Sequence, residues 1–228
     1  MDWKKKIIDY IKCNQVCATE VADCLNKTGA LEGVYSLNQG HFCVGNIKWV
    51  VADHNSNWNV HNMIRDTQEH DIVFIDAIDC ENRAIIGELV SKYILEYCKA
   101  DGIICNTKFR DAAALIRENW PIWGTGYTPV GCFNKKPDID IKMTQWYDEH
   151  KAMYDGAIAV CDDCGVVVIP KEMHTEDFYH KLVAIEEQED VWFDRLVNYN
   201  ENTFEIVCQK KYLNDEKYMA ERNGRGKV

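Results

Sequence analysis

Apolar positions recur at helical spacing twice early in the chain, over residues 3–13 and 19–27. In the second stretch Val21, Cys24 and Leu25 share one side and Gly29 stands as the stop. The period then changes. Residues 44–52 are rich in β-branched and aromatic side chains and predict a strand. After a short helix over residues 60–67, Ile72-Val73-Phe74-Ile75 is a continuous apolar run, which suits a strand covered on both faces. Between residues 84 and 100 the stripe Ile86, Leu89, Val90, Tyr93, Ile94 and Tyr97 has helical spacing. Gly102-Ile103-Ile104-Cys105 predicts another buried strand, and residues 111–118 another helix. Residues 157–160 and 166–169 flank a turn at 162–165, with Pro170 ending the second strand. A last long helix, about residues 176–196, is predicted to carry Phe178, Leu182, Ile185, Trp192 and Leu196 inward.

Strands alternating with helices, then a hairpin, predict a mixed α/β sheet with helices outside it and at both ends of the chain. The 228 residues suit one domain of ordinary size over 1–200, followed by an extension, 201–228, partly helical or flexible. No apolar run approaches the roughly 18 residues of a spanning helix. Lys4, Lys5 and Lys6 precede no apolar stretch of signal-peptide length, so the expected location is cytoplasmic. Eleven cysteines, an odd number in a chain of this length without an export signal, are expected as reduced thiols. Cys161-Asp162-Asp163-Cys164 has the spacing of half a zinc site, but no second pair follows, and a strand–turn–strand accounts for it.

Charge narrows the partners. With 26 basic against 37 acidic residues the net charge is −11, the wrong sign for displacing counterions from nucleic-acid phosphates. A local basic patch is confined to Lys210, Lys211, Arg222, Arg225 and Lys227.

Three stretches place ionisable groups where a site can form: Gly87-Glu88-Leu89-Val90, Arg110-Asp111, and the acidic run Glu186, Glu187, Glu189 and Asp190. The first two follow predicted strands, where α/β folds hold ligands. Each also has an ordinary reading. An Arg-Asp dipeptide is commonly a surface ion pair worth roughly 0–1 kcal/mol. A Glu at a helix start complements the macrodipole, and an acidic run is a solvated face. His54 and His61, near Asp53, Trp58 and Asn59, fit no common zinc spacing and read as loop histidines.

The order of these pieces resembles the RraA-like family, which includes 4-hydroxy-4-methyl-2-oxoglutarate aldolase, oxaloacetate decarboxylases and regulators of ribonuclease E. Gly87-Glu88-Leu89 followed by Arg110-Asp111 carries the resemblance. Thr19–Leu25 with Gly29, Val44–Ile47, Asp71–Asp76, Asp155–Val160 and Cys164–Pro170 extend it over roughly residues 15–200. There are two departures. Twenty-one residues separate Glu88 from Arg110, one more than in the family pattern, and the extra residue is assigned to the helix end near residues 96–101. Asn106-Thr107-Lys108 stands where the family has a glycine before Arg-Asp.

The resemblance implies a single-domain mixed-sheet α/β/α sandwich of the swivelling β/β/α type. It also implies a class II, metal-dependent lyase that cleaves a C–C bond of a small 4-hydroxy-2-oxo acid, releasing pyruvate, or decarboxylates oxaloacetate. The implied cofactor is Mg²⁺, Mn²⁺ or another divalent metal. Asp111 is the implied direct ligand and Glu88 an assisting one through water. Arg110 would fork onto the substrate, and the backbone N–H groups of Leu89 and Val90, after Gly87, would receive carboxylate oxygens. A homotrimer or dimer of trimers is implied, with an acidic residue of the last helix reaching a neighbouring subunit's site; Glu189 is the best match in order, with Glu186 and Glu187 close behind. The rival reading is a non-catalytic regulator of RNA-degradation machinery, which loss of Asp111 would favour. No Gly-rich nucleotide loop supports methyl transfer.

Overall fold

A computed structural model describes residues 2–216, 218 and 220 of the chain. Two compact units divide it, Met1–Leu182 and Val183–Val228.

In the first unit, α1 (Trp3–Asn14) opens with Asp2 accepting the Lys5 N–H at 3.1 Å. α2 spans Ala18–Cys24 and ends three residues before its pattern predicts. Asn26 and Lys27 take left-handed backbone angles, φ 60° and 64°, and stop it early. Gly29 therefore serves close approach instead: a Cβ there would lie 2.9 Å from the Val168 carbonyl oxygen.

Among the described residues nine strands follow: β1 (Tyr35–Ser36), β2 (Cys43–Asp53), β3 (Ile72–Ile78), β4 (Ala84–Ile86), β5 (Gly102–Cys105), β6 (Lys108–Phe109), β7 (Ile122–Gly124), β8 (Ile158–Asp162) and β9 (Gly165–Ile169). Seven form one sheet in the order β1-β7-β5-β3-β2-β8-β9. Its centre, β7-β5-β3-β2, is parallel, and the β8–β9 hairpin and β1 pair antiparallel at the two sides. The sheet curls toward closure, and the Trp123 indole of β7 donates to the Asp162 carbonyl of β8 at 2.8 Å. β4 and β6 form a separate parallel pair.

The unalternated run in β3 is buried on both faces. Ile72 and Phe74 pack with Trp49, Ile104 and Trp123 on one side, and Val73 and Ile75 with Val50, Ile103 and Phe109 on the other. The mixed α/β class expected from the pattern is the class observed.

The predicted helix over residues 84–100 differs in detail. Its first three residues are strand β4, α4 (Glu88–Lys92) starts after Gly87, and a π turn, Tyr93–Tyr97, completes it. A π turn holds one residue more than an α turn, so this turn can take up the extra residue of the Glu88–Arg110 interval, next to the helix end assigned from sequence. The stripe is also split. Val90 and Ile94 are buried, whereas Leu89 is 79% exposed and Tyr97 74%. α3 (Trp58–Met63) and α5 (Ala112–Arg117) match their predicted helices closely, while α6 (Gln145–Tyr154) has no counterpart in the sequence reading.

None of the eleven cysteines is in a disulfide. Cys161 is buried and Cys164 exposed on the hairpin, so the two do not form a pair of ligands. Burial pushes the Cys43, Cys80 and Cys105 thiols up to about 12. Alkylation of the folded protein at neutral pH should therefore label the exposed Cys13, Cys164 and Cys208 and spare those three. Mass-spectrometric mapping checks this; modification of Cys105 without unfolding would contradict it.

The unit boundary falls within α7 (Glu176–Tyr199). Phe178 and Leu182 are buried as predicted, but Leu196 is 41% exposed, and Val191 and Arg195 are buried instead. In the second unit the Arg195 guanidinium pairs with Glu201 and, at 3.0 Å, with Asp215. Those bonds, the Glu201 bond foremost, raise its pKa. Arg195→Met should cost about 1–3 kcal/mol, because it takes a charge-assisted partner from two partly exposed carboxylates. A urea titration reads this, and an unchanged midpoint would show that the pairing adds nothing. Lys211 is paired with Glu205, so the basic patch is partly neutralised; Arg222, Arg225 and Lys227 lie outside the described residues.

Candidate functional site

The β4–β6 pair carries the candidate site. Arg110 N–H donates to the Ile86 carbonyl at 3.0 Å, which sets the residue after β6 beside the end of β4. The segment from Gly126 to Phe133 runs along both strands. Phe109 N–H donates to Gly126 O and Thr128 N–H to Phe109 O, and Ala84 exchanges bonds with Val130 and Cys132. Two unrelated stretches of sequence, Gly87–Val90 and Arg110–Asp111, thus meet at one strand end.

Asp111 occupies the N-cap of α5 with φ 59°, a left-handed conformation that Asp tolerates better than most residues. Its side chain turns back across the strand end, where Oδ2 accepts the Glu88 N–H at 3.1 Å. The Arg110 Nε lies 3.6 Å from the same oxygen. Two glycines make the space. A Cβ on Gly87 would sit 2.1 Å from Asp111 Oδ2 and 2.7 Å from Arg110 Cγ. One on Gly131 would sit 2.8 Å from the Arg110 guanidinium. Gly87 has extended backbone, φ −147°, so crowding alone demands glycine there.

A cavity of about 80 Å³ opens at this point, lined among others by Gly87, Leu89, Val90, Arg110 and Asp111. Of the first N–H groups of α4, that of Glu88 goes to Asp111 and that of Ser91 to the Gly87 carbonyl. Those of Leu89 and Val90 have no intrahelical acceptor.

Glu88 does not line the cavity. Its carboxylate lies 3.5 Å from the Arg117 guanidinium, with both side chains about half exposed. Glu189 belongs to the second unit, on α7, where it lines an apolar hollow with Trp192, Phe193, Leu196 and Ile206.

Sequence reasoning missed several lining residues: Asn57, His61, Cys132 and Asn134. Trp58 and Asn59 do not line the cavity, but their neighbours Asn57 and His61 do. Asn57 donates to the Ile85 carbonyl at 3.1 Å and leaves its buried Oδ1 without a partner. Burial raises the Cys132 thiol pKa. The Asn-rich loop around His54 was the only available signal; the stretch holding Cys132 and Asn134 has no motif. His54 bonds to buried Asp53 at 2.9 Å, and His61 stands apart from it on α3.

The donors suit a hard, oxygen-preferring cation. Asp111 Oδ1 has no protein partner among the described residues, and the unpartnered Asn57 oxygen belongs to the same cavity wall. Among the described residues no three His, Cys, Asp or Glu side chains converge as a metal cage. Mg²⁺ needs only one or two carboxylates, because it keeps several waters.

Residues 18–168 match the family model for Aldolase/RraA. No curated protein matches the sequence. Among solved structures, an uncharacterized protein from Pseudomonas syringae pv. tomato is 17% identical, with a TM-score of 0.64, over 85% of this chain and 93% of that one. RraAS2 of Streptomyces coelicolor, described as an unusual member of the RNase ES inhibitor RraA protein family, is 18% identical at TM-score 0.63, over 82% and 94%. The RNA-processing inhibitor RraA from Thermus thermophilis gives 16% and 0.51, over 67% and 91%. At these identities the structures speak for the fold, while the family model spans well over half of the sequence. The chain belongs to the RraA-like family.

Proposed function

We propose that this chain is a divalent-metal-dependent lyase that cleaves a C–C bond of a small 4-hydroxy-2-oxo acid, releasing pyruvate, or decarboxylates oxaloacetate. The convergence of Arg110 and Asp111 over Gly87, on the wall of one cavity, carries this reading.

Breaking the bond beside a 2-oxo acid puts negative charge on the former carbonyl oxygen. A bound Mg²⁺ or Mn²⁺ supplies Lewis-acid stabilisation of that charge. Asp111 would hold the cation, with Glu88 assisting through water; the exposed contact of Glu88 with Arg117 is worth only about 0–1 kcal/mol and does not tie it down. Arg110 binds the substrate's carboxylate or carbonyl oxygen through its planar fork. The N–H groups of Leu89 and Val90 receive the remaining carboxylate oxygens. Asn57 Oδ1 accepts a hydrogen bond from a hydroxyl and so favours a hydroxylated substrate.

Purified protein with Mg²⁺ should release pyruvate from 4-hydroxy-4-methyl-2-oxoglutarate or a related acid, or decarboxylate oxaloacetate, and EDTA should stop it. A panel of such acids without turnover in Mg²⁺ or Mn²⁺ would sink the proposal. Arg110→Lys should lower kcat/KM by about 10- to 100-fold, the value of a charge-assisted bond of roughly 1.5–3 kcal/mol. In the same reading the protein works as a homotrimer or dimer of trimers, with Glu189 reaching a neighbour's site. Light scattering tests the assembly, and Glu189→Gln tests the residue.

The rival reading, a regulator of RNA-degradation machinery, draws on relatives described as ribonuclease and RNA-processing inhibitors. The presence of Asp111 favours the lyase, because a binding surface has no need of an anchor for a cation.

A further inference from the structure

A second cavity, of about 260 Å³, lies against β2 and α6 and is lined by Lys48, Arg65, Lys142 and Lys151. The geometry points to a binding site here for a compact polyanion, a small molecule bearing two or more phosphate or carboxylate groups.

Solvated lysines on a polar face are the ordinary reading of such residues, and three observations depart from it. The four cations come from four separate elements: β2, the 3-10 turn Ile64–Asp66, the 3-10 turn Ile141–Met143, and α6. They therefore converge through the fold and not through a local run. None of them forms an ion pair among the described residues, in a chain where acidic residues outnumber basic ones by 37 to 26. Arg65 reaches only the Asn62 side chain, at 3.4 Å, and Lys151 lies 5.8 Å over the Tyr147 ring.

The only carboxylates in the lining are Asp66 and Asp155. Asp155 Oδ1 already accepts the Trp49 N–H at 3.3 Å. Positive charge remains in surplus beside two buried aromatic side chains, Trp49 and Tyr147. Lys48 is half-buried and Arg65, Lys142 and Lys151 are exposed; a concave surface lined by one sign of charge still focuses a field, and its like charges repel until an anion joins them. One monovalent anion leaves part of the repulsion; a ligand with several charges relieves it. The cavity shares no lining residue with the one around Asp111.

Isothermal titration calorimetry with inorganic pyrophosphate and with citrate, without added divalent metal, tests this. Saturable one-to-one binding of either anion at about 0.15 M salt is expected, and comparing the two distinguishes a phosphate from a carboxylate ligand. The double variant Lys48→Gln/Arg65→Gln should weaken binding at least about tenfold while circular dichroism stays unchanged. Lys142→Gln/Lys151→Gln provides an independent pair should the first not fold. Arg110→Gln should leave the affinity as it is, which separates this site from the other. Absence of saturable binding by both anions, or equal affinity in a folded double variant, overturns the inference.

Discussion

Asp111→Asn is expected to remove turnover, by about 10²–10⁴-fold, while the fold stays intact. The size follows from losing the carboxylate that holds the cation, whose stabilisation of the growing charge is worth several kcal/mol at 1.36 kcal/mol per tenfold. Asparagine is the informative replacement. It tolerates the left-handed backbone of position 111 (φ 59°), and its carbonyl oxygen can still accept the Glu88 N–H. Shape and hydrogen bond survive and only the charge goes. Steady-state rates across Mg²⁺ concentrations, with circular dichroism as the control, read the result. Unchanged turnover at every concentration would refute the role of Asp111 as ligand.

Gly87→Ala is expected to do comparable damage from a residue without a functional group. The added methyl would stand 2.1 Å from Asp111 Oδ2 and 2.7 Å from Arg110 Cγ, so both side chains have to move. A displacement of about 1 Å at reacting groups can cost on the order of 10²-fold in rate. The stability cost should be smaller, about 1–3 kcal/mol, because half-exposed side chains can swing outward. Activity should therefore fall much further than the melting temperature does. A variant with full activity would show that the glycine is not what seats Asp111 and Arg110.

The two variants test different links. The first removes charge and keeps geometry; the second keeps every charged group and removes geometry. Loss of activity in both, with folding retained in both, is what a preorganised site predicts.

Much of this site was legible along the chain because its ingredients are local. Gly87-Glu88-Leu89-Val90 and Arg110-Asp111 are short motifs whose order and spacing carried the family likeness, and the family model confirmed that likeness. The strand β3 was equally plain, since an apolar run with no alternation has few other uses. The stretch over residues 84–100 misled for a physical reason. Apolar spacing cannot distinguish a strand of three residues followed by a helix from one longer helix, and periodicity does not announce that Leu89 and Tyr97 face outward. Helix α6 went unseen because its apolar and polar residues are mixed, although Thr144 at its N-cap and Gly156 (φ 85°) just past its C-cap mark its ends.

By itself the sequence determined the α/β class, the core strands β2, β3 and β5 and the family, and it singled out Gly87–Val90 and Arg110–Asp111 as candidates. Periodicity, charge and short motifs act between residues close in the chain, and all of these follow from such local relations. Only the tertiary structure decided that Asn57 and His61 join Arg110 and Asp111, and that Glu88 turns toward Arg117 instead. It alone brought Lys48, Arg65, Lys142 and Lys151 to one cavity. Those meetings are fixed by strand order and register, which bring together positions that may lie a hundred residues apart.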